Sequence, residues 1–332
     1  MIKVKYNVGE SLLKKEYKQL FPYADMQKEW KKLQNKYVAV LGAGPYPTVL
    51  QLLTAPIDKL VDIFFDYSHK IDLAVKNGIL TQGKTGTKKA MKDEIAKLFS
   101  YDGYRDTIAG FFMDSVNIFE IHTCHYCEMA YVNYFRDNSG RKIRHFDVEH
   151  ILDKGKCPLV ALSLFNFLPS CQPCNRTIKG CQCVGETMKS IKTGRLKEIV
   201  LKLSPTNPQY DFDRNISFYI KPTDPMNTNF EELLAHQEDF ELDFQIDGDA
   251  DYLYMVEQFH LKERYNYHKS EAFKLKDKFD HYPRSKREEI AKIVGRSEKE
   301  VAEDLFGVEF GINEHRILSK MYRDVAKVYL KA

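Results

Sequence analysis

Two Cys-x-x-Cys pairs, Cys124/Cys127 and Cys171/Cys174, stand 43 residues apart and constrain this chain more than any other feature. A C-x2-C turn aims both thiolates at one point, and two such turns fill the tetrahedral shell of a zinc ion. Four thiolates leave no open coordination position, so the Zn2+ is read as structural. The 43 residues between the pairs must then fold outward and return to where they began. Cys181 and Cys183 lie close enough in sequence to be alternative ligands, although an x1 spacing is strained for one tetrahedral ion. Cys157 is expected as a buried thiol. An odd total of seven cysteines, four of them in paired x2 spacing, favours metal binding over a disulfide framework and points to a reducing, cytoplasmic setting. The charged N-terminus lacks the apolar block of a signal peptide, and no stretch reads as a membrane span.

The residues inside the excursion carry the chemistry. Tyr131–Phe135 and Ile143–Val148 are short, aromatic and β-branched, and Asp137-Asn-Ser-Gly140 between them is a turn signal. The pattern predicts a hairpin with Glu149 and His150 at the end of its second strand. A Gly/Pro loop follows, then an apolar stretch over 159–168, then a helix starting near Cys174. His150 is a candidate general base that takes a proton from an attacking water. Glu149 offers a hard carboxylate oxygen and Asn175 a carbonyl oxygen, and few protein oxygens completed by water and phosphate is how Mg2+ prefers to be held. The bland roles are a core histidine for His150 and a helix cap for Asn175. Asn166, before an apolar turn, is read as a buried amide that ties the two strands through backbone hydrogen bonds and so fixes His150. Arg176 and Lys179 share the short helix of Asn175 and can hold the scissile phosphate or its neighbours.

Local charge agrees with a polyanion. Between Asn138 and Gly180 seven Lys/Arg face three acids, although the net charge of the chain is only +3. The flanks say less. Residues 1–118 read as helical, with Val49, Leu52, Leu53, Leu60, Val61, Phe64 and Phe65 at helical spacing. Leu41-Gly42-Ala43-Gly44-Pro45 has the start of a dinucleotide fingerprint without its third glycine, and is read as a loop. Thr81–Lys89 is a polar break whose lysines are either solvated or near a phosphate backbone. Residues 186–332 mix strands (Ile216–Ile220, Phe240–Ile246) with helix from about Leu253. In that region Phe259–His268 is read as an aromatic face on the core, or as a groove wall.

The run Phe146-Asp-Val-Glu149-His150, followed by Asn166-Phe-Leu-Pro-Ser-Cys171-Gln-Pro-Cys174-Asn175-Arg-Thr-Ile-Lys179-Gly, resembles the HNH (ββα-metal) endonucleases. The Glu-His form with a C-terminal Cys-Asn is similar to a subgroup in bacterial anti-phage systems, including the HNH partner of Septu-type defence ATPases. The resemblance covers about residues 120–185. It implies a hairpin and helix around one divalent ion, with the metal-binding acid at Glu149, the base at His150, the hairpin asparagine at Asn166 and the second ligand at Asn175. The commonest family pattern has Asp before the base and often His at the last position, where this chain has Glu and Asn. The expected fold class is therefore α+β: a zinc-knotted ββα-metal core (119–185) between a helical N-terminal region and a mixed C-terminal one. The expected activity is Mg2+- or Mn2+-dependent hydrolysis of phosphodiesters, in DNA rather than RNA, within an anti-phage system that includes a partner ATPase and involves no membrane. The alternative is a non-catalytic zinc-stabilised subunit that binds nucleic acid or protein.

Overall fold

Apolar spacing sets the helices of the first 114 residues, α1 (Glu10–Lys18), α2 (Tyr23–Lys36), α3 (Val49–Thr54), α4 (Ile57–Lys76), α5 (Thr87–Leu98) and α6 (Tyr101–Asp114). In α4, Ile57, Leu60, Val61, Phe64, Tyr67, Ile71 and Ala74 recur every three or four residues and are all buried. Thr48 starts α3 with a capping box to Gln51, satisfying two backbone donors that the helix itself leaves open. The computed structural model describes residues 3–42, 48–114, 122–184, 186, 193–224, 236–308 and 316–330. It is a mixed α+β chain gathered into two units, one of Ile2–His125 with Val132–Tyr210, the other of Tyr126–Tyr131 with Asp211–Ala332 and Met1.

In the first unit the helices back a set of short strands. β1 (Tyr134–Arg136) pairs antiparallel with β2 (Lys142–Arg144). The turn between them is built by Asp137, whose Oδ1 accepts from the backbone of Ser139 (2.9 Å) and Arg141 (3.0 Å), with Gly140 at φ 81°. The predicted hairpin thus exists, but it ends sooner than expected. The chain bends at His145–Phe146, and β3 (Asp147–His150) leaves the hairpin to pair with β4 (Phe167–Ser170). Every residue of β3 and β4 is buried, which explains the switch: the partner that can cover Val148 and His150 is the apolar segment downstream. A two-stranded ribbon also tolerates Pro169, which has no N–H to give an interior ladder.

The loop from β3 to β4 is pinned to the helices. Tyr17 Oη donates to the Leu162 carbonyl (2.9 Å) and Ser163 Oγ to that of Leu52 (2.6 Å). Phe112 meets Phe167 edge-on at 6.4 Å between ring centres. After β4 comes a tight π-helical turn, Pro173–Lys179, and later α7 (Thr193–Lys202). Leu41 and Gly42 close a π-helical turn, Val38–Gly42; Ala43, Gly44 and Pro45 lie outside the described residues.

The second unit is organised around β5 (Ile216–Pro222) and β6 (Phe240–Ile246), preceded by α8 (Phe212–Asn215). Ile216, Phe218 and Ile220 are buried in alternation, as a half-covered strand requires. Phe259 stacks on Tyr126 at 4.4 Å and the Tyr265 hydroxyl donates to the Cys127 carbonyl at 2.7 Å, so the aromatic cluster at 259–268 packs its face on the core.

Candidate active site and metal centre

Cys124, Cys127, Cys171 and Cys174 are all buried, and their sulfurs lie within 4.8 Å of one another. Zinc–thiolate bonds of about 2.3 Å at tetrahedral angles require sulfurs about 3.8 Å apart, so this donor set fits a Zn2+ ion and supplies its whole shell. The Met129 N–H donates to Cys127 Sγ at 3.4 Å, a bond that stabilises a thiolate. Glu128 turns the chain away from the knuckle at φ 53°, a region that costs a Cβ-bearing residue about 1–2 kcal/mol. Its carbonyl accepts from Leu318 N (2.8 Å), and its carboxylate accepts from Ser319 Oγ (3.1 Å) and Lys320 N (3.2 Å), which hold the strained turn. Nothing in the sequence pattern singled out Glu128. Among the described residues neither Cys181, which is exposed, nor Cys183, which is buried, belongs to the cluster. Burial pushes the Cys157 thiol up to about 12, that of an inert core sulfhydryl.

Beside this centre β3, α6 and the 173–179 turn enclose a cleft of about 590 Å3. Glu149, His150, Asn175, Arg176 and Lys179 all line it, so the structure brings together five of the six non-cysteine residues singled out in the sequence. The sixth, Asn166, is fully buried. Its Oδ1 accepts from Leu152 N (2.7 Å) and its Nδ2 donates to the carbonyls of Leu152 (3.1 Å) and Val160 (2.9 Å). The neighbouring Ala161 carbonyl accepts from His150 Nε2 at 3.0 Å. Asn166 therefore fixes the loop that fixes the imidazole.

Because a carbonyl can only accept, Nε2 carries the proton and Nδ1 is left as the basic nitrogen. Nδ1 has no partner among the described residues. The ring packs edge-on against Tyr101 (4.5 Å) and Phe167 (4.9 Å), which lie 5.8 Å from each other. Burial pushes its pKa down to about 3, Lys154 and Lys179 push the same way, and the Ala161 bond opposes them. His150 is neutral at physiological pH.

The acids of β3 meet the cations of the turn. Alternation puts Asp147 and Glu149 on one strand face. Lys179, itself 1 % exposed, pairs with Glu149 and donates to the His150 carbonyl at 2.8 Å. Burial pushes Glu149 up to about 7, and the Lys179 charge only partly offsets it. Arg176 makes a two-pronged contact with Asp147 (2.7 and 2.8 Å), and Asn175 Nδ2 donates to the same carboxylate at 3.1 Å. Burial alone would raise Asp147, but these bonds hold it below the ordinary carboxylate value. Asp147, Arg105, Arg144, Lys154 and Tyr101 also line the cleft, together with the acids Asp102 and Asp153. The sequence offered Asp147, Arg144 and Lys154 only as charges, and Arg105 and Tyr101 not at all, because α6 reaches the cleft from about fifty residues away.

Glu149, Asp147 and the Asn175 amide oxygen are hard donors of the kind Mg2+ or Mn2+ takes. The raised Glu149 value comes from burial, which Lys179 only partly offsets, so a divalent ion held there would favour the charged carboxylate. No protein-family model matches this chain, and neither curated proteins nor solved structures gave a match. No helix among the described residues is long and apolar enough to cross a membrane.

Proposed function

We propose that this chain is a zinc-stabilised, HNH-type endonuclease that hydrolyses phosphodiester bonds in DNA with the help of Mg2+ or Mn2+. The observation that carries the reading is His150: a neutral imidazole, fixed through Nε2 by a backbone carbonyl, with its basic Nδ1 unpartnered in a cleft rimmed by Arg105, Arg144, Lys154 and Arg176. In this reading Nδ1 takes the proton of the attacking water. A proton acceptor held near 3 is weak until negative charge arrives beside it, and the phosphate of a bound strand brings that charge. Glu149 and Asn175 would hold the divalent ion, which would supply charge stabilisation at the phosphate and the leaving oxygen. Arg176, whose side chain is 65 % exposed, is placed to hold a phosphate oxygen, whereas Lys179 is buried against Glu149 and the His150 carbonyl and positions them. The anti-phage role and the ATPase partner rest on the sequence resemblance alone.

A second reading, a non-catalytic zinc module that binds nucleic acid or protein, draws on the pairing of Glu149 with Lys179 and Asp147 with Arg176. Carboxylates so compensated can serve the fold without a metal. A plasmid-nicking assay with Mg2+ or Mn2+ separates the two, comparing wild type with His150→Ala after zinc content is matched. Metal-dependent nicking that the variant loses supports the nuclease. Binding without cutting, with and without added metal and an ATPase partner, favours the module.

A further inference from the structure

The polar break at Thr81–Lys89 forms one wall of a second cleft, of about 550 Å3. Lys88, Lys89, Lys92 and Lys154 line it, and Asp93 is the one acid among the described lining residues. Asp93 is occupied by Lys89 at 2.7 Å. Lys88 and Lys92 lie one turn apart on α5, a repulsive spacing, and neither has an ion-pair partner among the described residues. Lys92 is half-buried, and burial together with Lys88 lowers its pKa. The wall is preformed. Thr81 and Thr87 exchange reciprocal N–H to Oγ1 bonds of 2.9 Å each, and a side chain at Gly86 would run into the carbonyls of Thr81 and Gln82.

Lys154 belongs to both clefts. Its ammonium sits 4.0 Å over the Tyr101 ring, and Tyr101 in turn abuts His150. Lys154, which also lies 3.7 Å from Asp102, therefore joins the cleft of His150 to the one lined by Lys88 and Lys92. Lysines are compact point charges without the planar fork that reads a base edge, so this lining suits a sugar-phosphate backbone independent of sequence. We propose that the lysine cleft holds the nucleic-acid backbone on one side of the bond that faces His150. The inference rests on the nuclease reading for its substrate, and it assigns Lys88, Lys92 and Lys154 as binding residues.

The test uses the full chain with Lys88→Gln/Lys92→Gln, measuring fluorescence anisotropy of a short labelled DNA duplex in EDTA across salt from about 50 to about 200 mM. Loss of two phosphate contacts should weaken binding about tenfold or more at low salt. It should also make the slope of log affinity against log salt shallower by about 2, at about 0.9 per contact. Lys88→Arg/Lys92→Arg should restore both. An unchanged affinity and slope in the Gln variant overturns the proposal, as does a loss that the Arg variant does not restore. Cutting by wild type is scored separately. A wild type that binds through these lysines yet cuts nothing keeps the backbone cleft and removes the nuclease; one that cuts while the Gln variant binds normally does the reverse.

Discussion

Replacing Asn166 with alanine tests the reading of the site at its support. The substitution removes three hydrogen bonds; it strands the Leu152 N–H and carbonyl and leaves the Val160 carbonyl with only the Ser163 N–H at 3.4 Å, in residues that are themselves fully buried. A buried polar group left unpaired costs about 1–3 kcal/mol. Some relaxation and water entry will offset part of it, so the loss should be about 3–6 kcal/mol, a large share of the roughly 5–15 kcal/mol that holds a domain folded. Trp30, the chain's single tryptophan, is buried in the same unit and reports its unfolding. Urea titration followed by Trp30 fluorescence should show a midpoint shift of that size. Asn166→Asp sharpens the argument, because its second oxygen would face two carbonyls and must stay protonated. An acid whose folded pKa is raised stabilises the fold at low pH and loses that stability as pH rises. The Asp variant should therefore approach wild type near pH 4 and fall away above it. An Ala variant within about 1 kcal/mol of wild type would refute the claim that this amide locks the His150 loop.

The remaining predictions concern charge and metal. Glu149, raised to about 7 by burial against an ordinary 4.5, keeps its proton longer in the folded chain than in the unfolded one. Without divalent ions, wild-type stability should fall by about 3 kcal/mol relative to Glu149→Gln between about pH 5 and pH 8, read by parallel urea titrations; parallel curves would rule this out. Purified wild type should carry one zinc per chain by elemental analysis, and Cys124→Ser should lose it along with cooperative unfolding, since the metal's binding energy is folding energy. Retention of full zinc occupancy by that variant would dissolve the four-thiolate assignment.

The parts of this protein that were legible in its sequence are those with short-range physics. The apolar period of α4, the alternation in β5 and β6, the Asp137–Gly140 turn and the two C-x2-C knuckles depend on neighbours a few residues away. The burial of Asn166 and its bonding to backbone were legible because a buried amide before an apolar turn must find backbone partners, but its partners are Leu152 and Val160 of the loop rather than the two strands. What the sequence hid were pairings set by distant segments. Residues 143–150 look like one strand, and only the availability of Phe167–Ser170 explains why the chain breaks at His145–Phe146 and changes partner. The capture of Asp147 by Arg176 and of Glu149 by Lys179 follows from the turn folding back over β3, which no spacing announces.

His150 decides between an ordinary core histidine and a working one. A histidine retained for packing buries its ring with both nitrogens satisfied, since each stranded polar atom costs free energy. Here the ring is fixed more fully than packing needs. Nε2 is bonded to Ala161, the backbone carbonyl to Lys179, and Tyr101 and Phe167 pack against the ring. Yet Nδ1 is left open on the cleft. Holding every other handle of the residue while sparing one basic nitrogen is the arrangement a general base requires, because its orientation must not relax when the proton moves. Lys179 fits the same logic. A buried ion pair contributes little net stability against an apolar replacement, so its value lies in what it positions. With one donor on the His150 carbonyl, its ammonium keeps a partner even if a metal ion claims Glu149. Under the proposed nuclease function, this is the arrangement expected of His150 as the general base.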